Sequence, residues 1–245
     1  MDSRQVTVLI AGGASGLGAG CTRHLAARGA NVVILDQDLR KAEFLADQIG
    51  KNALAVEADV TSEEDILEAL AEAKAVFGAV HVLINTAGIE MALRTISKNG
   101  PHPLDVFETV LNVNLVGTFN VLRLTAMEMA KNDPDANGER GVIINTASIA
   151  ATDGQVGQAA YAASKGGLMA MTLPISRDLA RDGIRLVSLI PDATGSTHEA
   201  QSEELLEPPR LVKAEDFAQA VQTIIENETL NGVNLRLDEV AAYKR

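Results

Sequence analysis

Apolar residues occur along the chain in short, continuous runs, and longer segments with helical periodicity separate one run from the next. The runs are rich in Val, Ile and Leu and do not alternate with polar residues, which is typical of parallel strands covered on both faces. Seven runs are present, at residues 5–11, 31–36, 53–57, 80–84, 141–146, 184–190 and 233–237. The periodicity predicts helices at about 17–28, 39–49, 62–77, 105–131, 158–181 and 214–227. We therefore predict one α/β domain over residues 1–245, with a doubly wound sheet of about seven parallel strands and helices on both faces.

Two stretches depart from this alternation. Residues 132–140 are turn formers between a predicted helix and a predicted strand. Residues 191–212 contain prolines, a glycine and several acids, and they predict an irregular loop. Long loops in compact domains often cover binding sites, so we expect the second stretch to contact the substrate.

Composition narrows the classes of protein further. A chain of 245 residues that is 47% hydrophobic can bury a large core without disulfides or metal ions. With 21 basic and 33 acidic residues its net charge is −12, which disfavours long-range attraction to nucleic acid or anionic membranes. The single cysteine, Cys21, cannot form an internal disulfide, as is usual in a reducing compartment. The four histidines lack a metal-like spacing, so we expect no metal site.

The sequence shows no sign of membrane insertion or secretion. No apolar run approaches the roughly 20 residues that cross a bilayer. The first residues read as a buried strand rather than as a signal segment. We therefore expect a cytoplasmic protein that acts on a small molecule and has neither nucleic acid nor a membrane as a partner.

A glycine-rich turn joins the first predicted strand to the first predicted helix. Glycines there allow a tight turn and let a pyrophosphate approach the amides at the positive end of the helix dipole. A turn needed only for packing would look similar, but Asp36 follows at the end of the second strand, about 20 residues on, where an acid binds the ribose of a dinucleotide. Its charge would repel the extra phosphate of NADP, and the nearest cation is Arg40, so we expect NAD in a Rossmann-like domain. The cofactor-binding residues of the turn are Gly12, Ser15, Gly16, Leu17 and Gly18.

Three polar residues predict a hydride-transfer site. Tyr161 and Lys165 are one turn apart on the predicted helix, and Ser148 follows a strand at the end where open α/β sheets bind ligands. A phenol normally titrates near pH 10, and an adjacent ammonium together with an oxidised nicotinamide would lower that pKa. Tyr161 would then exchange a proton with the substrate while Ser148 holds the substrate oxygen. A chance Tyr-x-x-x-Lys pair is the alternative, and it is less frequent in a chain with two tyrosines.

These motifs, in this order, resemble the short-chain dehydrogenase/reductase family over essentially the whole chain. The resemblance implies that Tyr161 is the general acid/base, that Ser148 polarises the carbonyl, and that Lys165 binds the nicotinamide ribose. It also implies a catalytic role for Asn114, which would carry a water that links Lys165 to solvent. Beyond the glycine turn and Asp36, the cofactor contacts that it implies are Asp59, Val60, Asn85, Ala87, Gly88, Tyr161, Lys165 and Pro191.

Longer stretches resemble one subgroup of that family. They are residues 140–148, 154–161 and 171–179, and the segments 98–102 and 132–140 also fit. Members of the subgroup oxidise 3-hydroxyacyl-CoA thioesters and, more slowly, some steroid alcohols with NAD, and they are usually homotetramers. The resemblance implies hydride transfer between NAD and a 3-hydroxyacyl-CoA/3-oxoacyl-CoA pair, in a homotetramer. Its implied substrate contacts are Ser148, Gln158 and Tyr161.

The last part of the chain departs from the family pattern. Asp192 follows Pro191 where a glycine is usual, the loop over 191–212 contains four glutamates, and Glu239 replaces another glycine. These differences leave two alternatives open. One is a dehydrogenase of hydroxysteroids or other hydrophobic secondary alcohols. The other is a catalytically inactive scaffold subunit that forms a hetero-oligomer with an active paralogue, although the intact motif residues favour an enzyme.

Overall fold

A seven-stranded parallel sheet forms the centre of the protein. The computed structural model describes residues 1–191 and 212–237. The strands are β1 (Thr7–Ala11), β2 (Asn31–Asp36), β3 (Ala53–Glu57), β4 (Val82–Asn85), β5 (Ile96–Ser97), β6 (Gly100–Pro101), β7 (Gly141–Thr146), β8 (Ile184–Pro191) and β9 (Asn234–Leu237). The main sheet has the order β3-β2-β1-β4-β7-β8-β9, and all its neighbouring strands are parallel. The predicted fold class is confirmed.

Helices cover both faces of this sheet. They are α1 (Gly16–Ala26), α2 (Leu39–Ile49), α3 (Glu63–Phe77), α4 (Leu104–Leu111), α5 (Thr118–Met129), α6 (Ala159–Leu179) and α7 (Ala214–Glu226). On one face α1 and α7 pack together and bury Leu25, Phe217 and Val221 completely. On the other face α3 and α5 bury Ile66 and Val121 against the sheet. Cover on both faces explains why the strands appear in the sequence as unbroken apolar runs.

The long helix predicted over 105–131 is interrupted. A six-residue π-helix, Asn112–Gly117, lies between α4 and α5. Its last residue, Gly117, packs closely against Val60, because a Cβ on Gly117 would lie 2.7 Å from Cγ2 of Val60. The π-helix is too short for its different periodicity to register in the sequence. Segments of this kind are rare and are frequent at functional sites.

The same helical stretch is long and largely apolar, although it contains no continuous apolar run of about 20 residues. Leu104–Met129 is 26 residues long, and a window within it has a mean hydropathy of 1.2, so length and composition alone would allow it to cross a membrane. Half of that window is buried inside the fold. Such burial is typical of a helix in the core of a folded domain. Asn112, Asn114 and Asn120 interrupt the apolar residues, which is why no single run stands out in the sequence.

The remaining differences concern the loops. β5 and β6 form a short antiparallel hairpin, which periodicity cannot predict because strands of two residues leave no pattern. The amide of Leu93 donates to the carbonyl oxygen of Gly157 at 3.0 Å, so the segment that leads to the hairpin lies beside the start of α6. The interior of the loop predicted at 191–212, with Asp192, lies outside the described residues, and so does Glu239.

Candidate active site

A cavity of about 500 Å³ lies at the carboxyl ends of the central strands. Open α/β sheets bind ligands at this edge. Residues predicted from the sequence that line it are Gly12, Ser15, Gly16, Leu17, Gly18, Asp36, Val60, Ala87, Gly88, Ser148, Gln158, Tyr161, Lys165 and Pro191. The structure thus gathers on one surface residues that are up to 179 positions apart in the chain.

Close backbone contacts require two glycines of the turn after β1. Gly12 has a φ of +72°, and a Cβ there would lie 2.8 Å from the backbone nitrogen of Ala87. A Cβ on Gly18 would lie 2.1 Å from the carbonyl oxygen of Gly12. The amides of Gly12 and Gly13 both donate to the carbonyl oxygen of Leu35, at 2.8 and 3.1 Å. A side chain at Gly12 or Gly18 would therefore displace the turn.

The amino end of α1 faces the cavity without a cap. Ser15, Gly16 and Leu17 line the cavity. The Ser15 side chain makes no capping hydrogen bond, and the first turn has no acidic residue. The first amides of a helix lack partners within the helix, and the helix dipole makes that end positive. This end of α1 is therefore suited to an anionic group such as a diphosphate.

Asp36 lies beside the glycine turn, at the end of β2. Its carboxylate accepts hydrogen bonds from the amides of Ala14 and Asp38, each at 3.1 Å. These two bonds hold the carboxylate in the cavity wall and leave acceptor capacity for hydroxyl groups. A negative charge held at this point favours ribose hydroxyls and opposes a second phosphate.

Ser148, Tyr161 and Lys165 meet where β7 ends and α6 begins. Lys165 Nζ lies 5.6 Å from the centroid of the Tyr161 ring. The Lys165 side chain is buried, and its ammonium donates to the carbonyl oxygen of Thr146, the last residue of β7, at 2.8 Å. Ser148 begins a short 3-10 turn, and its hydroxyl accepts from the amide of Ala150 at 3.2 Å. The structure therefore brings the predicted catalytic residues together.

Burial changes the proton affinity of two of these groups. It lowers the pKa of Lys165 to about 8, because the ammonium is removed from water. It raises the pKa of Tyr161 above its ordinary value, although a hydrogen bond with Ser148 acts in the opposite direction. The negative charge of Glu90 favours the protonated form of both side chains. It therefore adds to the rise in the pKa of Tyr161 and opposes the lowering of the pKa of Lys165 by burial. The direction for Tyr161 differs from the expectation because the cost of desolvating the phenolate dominates, and the charge of an oxidised nicotinamide would oppose that cost.

Asn114 lies behind the cavity wall, in the π-helix, and connects two parts of the site. Its side chain bonds both the amide and the carbonyl oxygen of Ile89, each at 2.8 Å. Its Nδ2 also donates to Ser164 Oγ at 3.1 Å, and Ser164 donates to the carbonyl oxygen of Tyr161 at 2.7 Å. Asn114 thus positions the segment after β4 against α6. That it also carries a water linked to Lys165 stays a prediction.

Two predicted cofactor contacts have side chains that bond within the protein. The Asn85 amide donates to Oδ1 of Asn145 on the neighbouring strand, at 2.9 Å. The Asp59 carboxylate accepts from the amide and the hydroxyl of Thr61, both at 2.8 Å. Neither residue lines the cavity, whereas Val60 does. Asn85 Oδ1 has no hydrogen-bond partner among the described residues, and both bonds from Thr61 go to a single oxygen of Asp59, so cofactor contacts by Asn85 and Asp59 stay predictions.

Gln158, the predicted substrate contact, is fixed by two neighbours. Its Oε1 accepts from the amide of Gln155 at 2.8 Å, and its Nε2 donates to Oε1 of Glu90 at 2.7 Å. Gln158 is buried, whereas Glu90 is exposed in the cavity wall. A substrate that enters here therefore meets the Glu90 carboxylate as well as the amide of Gln158.

Sequence reasoning missed three participants in the site: Glu90, Ser164 and the carbonyl oxygen of Thr146. Ser164 directly precedes Lys165, so its place in the motif was an available signal. Glu90 follows Gly88 by two residues, but nothing in the sequence shows that it meets α6. A backbone acceptor such as that of Thr146 leaves no signal in residue type.

A separate acidic cluster could be mistaken for a metal site. Asp135, Glu139 and Glu228 place ligand oxygens within 4.8 Å of one another. The ammonium of Met1 lies 3.4 Å from Glu139, 3.5 Å from Glu228 and 3.7 Å from Asp135. Arg185 also pairs with Glu139, at 2.5 Å. The three carboxylates thus face two cations, the Met1 ammonium and the Arg185 guanidinium, and these ion pairs within the protein explain why the acids lie close together.

A doubly wound sheet that joins a dinucleotide-type turn to a Ser, Tyr and Lys group defines a short-chain dehydrogenase. The chain matches the short chain dehydrogenase family over residues 6–206 and belongs to it. It is therefore an oxidoreductase, and the predicted family is confirmed.

Individual relatives are similar over nearly the whole chain. The 3-hydroxyacyl-CoA dehydrogenase type-2 of Bos taurus is 48% identical over 244 residues, which cover 95% of this chain and 94% of the relative. A crystal structure of 3-hydroxyacyl-CoA dehydrogenase type-2 from Mycobacterium avium has a TM-score of 0.91 and 34% identity, covering 98% of this chain and 97% of its own. A crystal structure of 3-ketoacyl-(acyl-carrier-protein) reductase from Brucella melitensis complexed with NADH has a TM-score of 0.85 and 32% identity. The match covers 97% of this chain and 98% of the reductase chain.

Proposed function

We propose that this protein is an NAD-dependent oxidoreductase that interconverts a 3-hydroxyacyl-CoA and the corresponding 3-oxoacyl-CoA. The observation that carries the proposal is that Ser148, Tyr161 and Lys165 line the same cavity as the uncapped amino end of α1. Hydride transfer to a dinucleotide needs these two features together: a proton-exchanging group and a cradle for the diphosphate.

The residues of the cavity fit NAD. The close approaches at Gly12 and Gly18 leave backbone rather than side chains beside the amino end of α1, so a diphosphate can reach the free amides. Asp36 offers acceptors for the ribose hydroxyls of the adenosine half and repels the phosphate that distinguishes NADP. A structural relative described as complexed with NADH supports this choice.

The catalytic roles follow from the chemistry of each side chain. A bound NAD would supply the hydride acceptor for the alcohol carbon. The phenolate of Tyr161 takes the hydroxyl proton during oxidation, and the phenol returns that proton during reduction. Ser148 donates a hydrogen bond that holds the substrate oxygen beside Tyr161. The ammonium of Lys165, anchored on Thr146, stabilises the phenolate by its charge.

The substrate class rests on similarity to named relatives. The bovine relative, 48% identical over 95% of this chain, is a 3-hydroxyacyl-CoA dehydrogenase by name. The Mycobacterium avium structure bears the same name. A free hydroxysteroid is the competing substrate, and an inactive scaffold subunit is the competing class of protein.

A panel assay tests the proposal and separates these alternatives. Purified protein is incubated with NAD or NADP and with 3-hydroxybutyryl-CoA, branched 3-hydroxyacyl-CoAs or a 17β-hydroxysteroid, while NADH absorbance is followed. We expect the highest kcat/KM with NAD and a 3-hydroxyacyl-CoA. A higher kcat/KM with the steroid would favour the competing substrate. No turnover, together with no binding of NADH by fluorescence, would favour the scaffold.

We also propose a cytoplasmic homotetramer. Val116, Phe119 and Met127 are 53%, 43% and 64% exposed on the stretch that contains the π-helix and α5, and Leu173 on α6 is 45% exposed. Clustered apolar side chains at the surface often mark subunit contacts. A hetero-oligomer with a paralogue would use the same surface. The buried free thiol of Cys21 is compatible with a reducing compartment.

A further inference from the structure

The carboxylate of Glu90 is held in place at the catalytic end of the cavity. Its Oε1 accepts the hydrogen bond from Gln158 Nε2 at 2.7 Å, and the other end of the Gln158 amide is fixed by the amide of Gln155 at 2.8 Å. Gln158 is the N-cap residue of α6, three residues before Tyr161, and both residues line the cavity. Glu90 therefore presents a positioned negative charge close to the proton-exchanging group.

The charges on the cavity wall are unbalanced. Among its described residues, three acids, Asp36, Glu90 and Asp153, line the wall, and Lys165 is the one Lys or Arg. Lys165 is buried and bonded to Thr146, whereas Glu90 and Asp153 are exposed. The pKa values of Tyr161 and Lys165 are both raised by Glu90, so its field reaches the reacting groups. An anion beside Tyr161 would therefore meet the repulsion of exposed carboxylates, while the one described cation of the wall, Lys165, is buried and bonded to Thr146.

We propose that Glu90 is a specificity-determining residue that makes the site select neutral 3-hydroxyacyl groups and reject free 3-hydroxy acids. This inference rests on the proposed function. In a 3-hydroxy acid, one methylene separates the carboxylate from the carbon that reacts beside Tyr161. The ionised group must then lie near Glu90, whereas a thioester places a neutral carbonyl there.

Glu90 also engages a donor that a free acid could use. A carboxylate substrate could otherwise accept a hydrogen bond from either N–H of Gln158 Nε2, but one of these two is engaged by Glu90. Rejection therefore has two parts: direct repulsion between like charges, and the occupation of one N–H of the Gln158 amide.

The substitution Glu90→Gln separates charge from structure. Glutamine keeps an acceptor oxygen for Gln158 and removes the negative charge. Methyl 3-hydroxybutyrate and 3-hydroxybutyrate are the probe pair, since they share the reacting alcohol and differ in charge, and 3-hydroxybutyryl-CoA is assayed alongside. The matched control is Glu72→Gln, an exposed position on α3 outside the described cavity wall.

We expect Glu90→Gln to lower the ratio of kcat/KM for the ester to that for the acid by about 3- to 30-fold, because one like-charge repulsion is removed. The gain should come mainly from faster use of the acid, while Glu72→Gln leaves the ratio unchanged. The pH profile of ester oxidation should also shift to lower pH, since Glu90 raises the pKa of Tyr161. A structural role alone would slow ester and acid equally and leave that profile in place.

The outcomes distinguish this inference from the proposed function. An unchanged ratio in Glu90→Gln, with ester and thioester still oxidised, overturns the role of Glu90 and leaves the proposed function intact. If the wild type oxidises no 3-hydroxyacyl compound, the proposed function and the inference fall together. If Glu90→Gln is poorly folded, Glu90→Ala is measured instead. An unchanged ratio of kcat/KM for ester to acid in Glu90→Ala overturns the inference.

Discussion

The ammonium of Lys165 lies 5.6 Å from the centre of the Tyr161 ring and donates its 2.8 Å hydrogen bond to the carbonyl oxygen of Thr146. The carbonyl anchors the cation from the side of β7, so its field can act on the phenol without a direct bond between the two side chains. Because burial lowers the pKa of Lys165 to about 8, the strength of that field changes with pH around this value.

Replacing Tyr161 with Phe should remove the group that exchanges the proton. We expect Tyr161→Phe to lower kcat by about 10²- to 10⁴-fold, which is the usual contribution of general acid–base catalysis. The aromatic ring remains, so NADH binding measured by nicotinamide fluorescence should stay close to that of the wild type. Near-normal turnover in this variant would contradict the assigned role.

Lys165 should reduce the stability of the protein in exchange for its catalytic function. Its pKa is lowered from 10.5 to about 8 by burial, so below pH 8 both folded and unfolded chains are protonated and the full cost of burying the charge applies. We expect Lys165→Met to raise the free energy of unfolding at pH 7 by up to about 3 kcal/mol, from the size of this shift. Activity should fall sharply at the same time.

The pH dependence provides the check on this prediction. Between pH 8 and 10.5 the folded wild type has lost the Lys165 proton while the unfolded chain retains it, so the stability of the wild type rises with pH in this window. The advantage of Lys165→Met should therefore shrink as pH increases from 8 towards 10.5. Urea denaturation of both proteins at several pH values measures it. An advantage that is constant over this window would show that burial does not lower the pKa of Lys165.

Much of the site could be predicted because its chemistry depends on side-chain type at fixed places in a regular fold. The glycine turn, Asp36 and the Tyr161/Lys165 pair each sit next to a strand end or on one helix face, so local spacing was sufficient. Asn114 was also identified, but its observed contacts run to Ile89 and Ser164 through a π-helix that has no distinct sequence pattern.

Long-range contacts explain what the sequence did not show. The bond between Glu90 and Gln158 joins residues 68 positions apart, and it depends on how the segment after β4 lies against α6. The carbonyl of Thr146 acts through its backbone, which any residue could supply. The pKa of Tyr161 likewise depends on burial, which the local pairing with Lys165 does not determine.

Asp36 should set the preference between the two nicotinamide cofactors. Substituting Asn keeps the size of the side chain and an acceptor oxygen for one of the two amides of Ala14 and Asp38, and it removes the charge that repels a phosphate. We expect Asp36→Asn to lower the ratio of kcat/KM for NAD to that for NADP by about tenfold or more. Asp47→Asn, an equal change of charge on the exposed side of α2, is the control. If both variants change the ratio equally, the total charge is responsible and Asp36 is not.

Phe119 should be part of a subunit contact. It is 43% exposed on α5, next to exposed Val116, whereas Phe44 is 66% exposed on α2 without being part of that stretch. In a tetramer that buries Phe119, Phe119→Asp places an unpaired charge in an apolar contact, which costs several kcal/mol. We expect light scattering after size-exclusion chromatography to show a tetrameric wild type, a smaller Phe119→Asp species and an unchanged Phe44→Asp tetramer. If Phe119→Asp keeps the mass of the wild type, the subunits do not meet through this face, and if Phe44→Asp dissociates instead, the contact lies on α2.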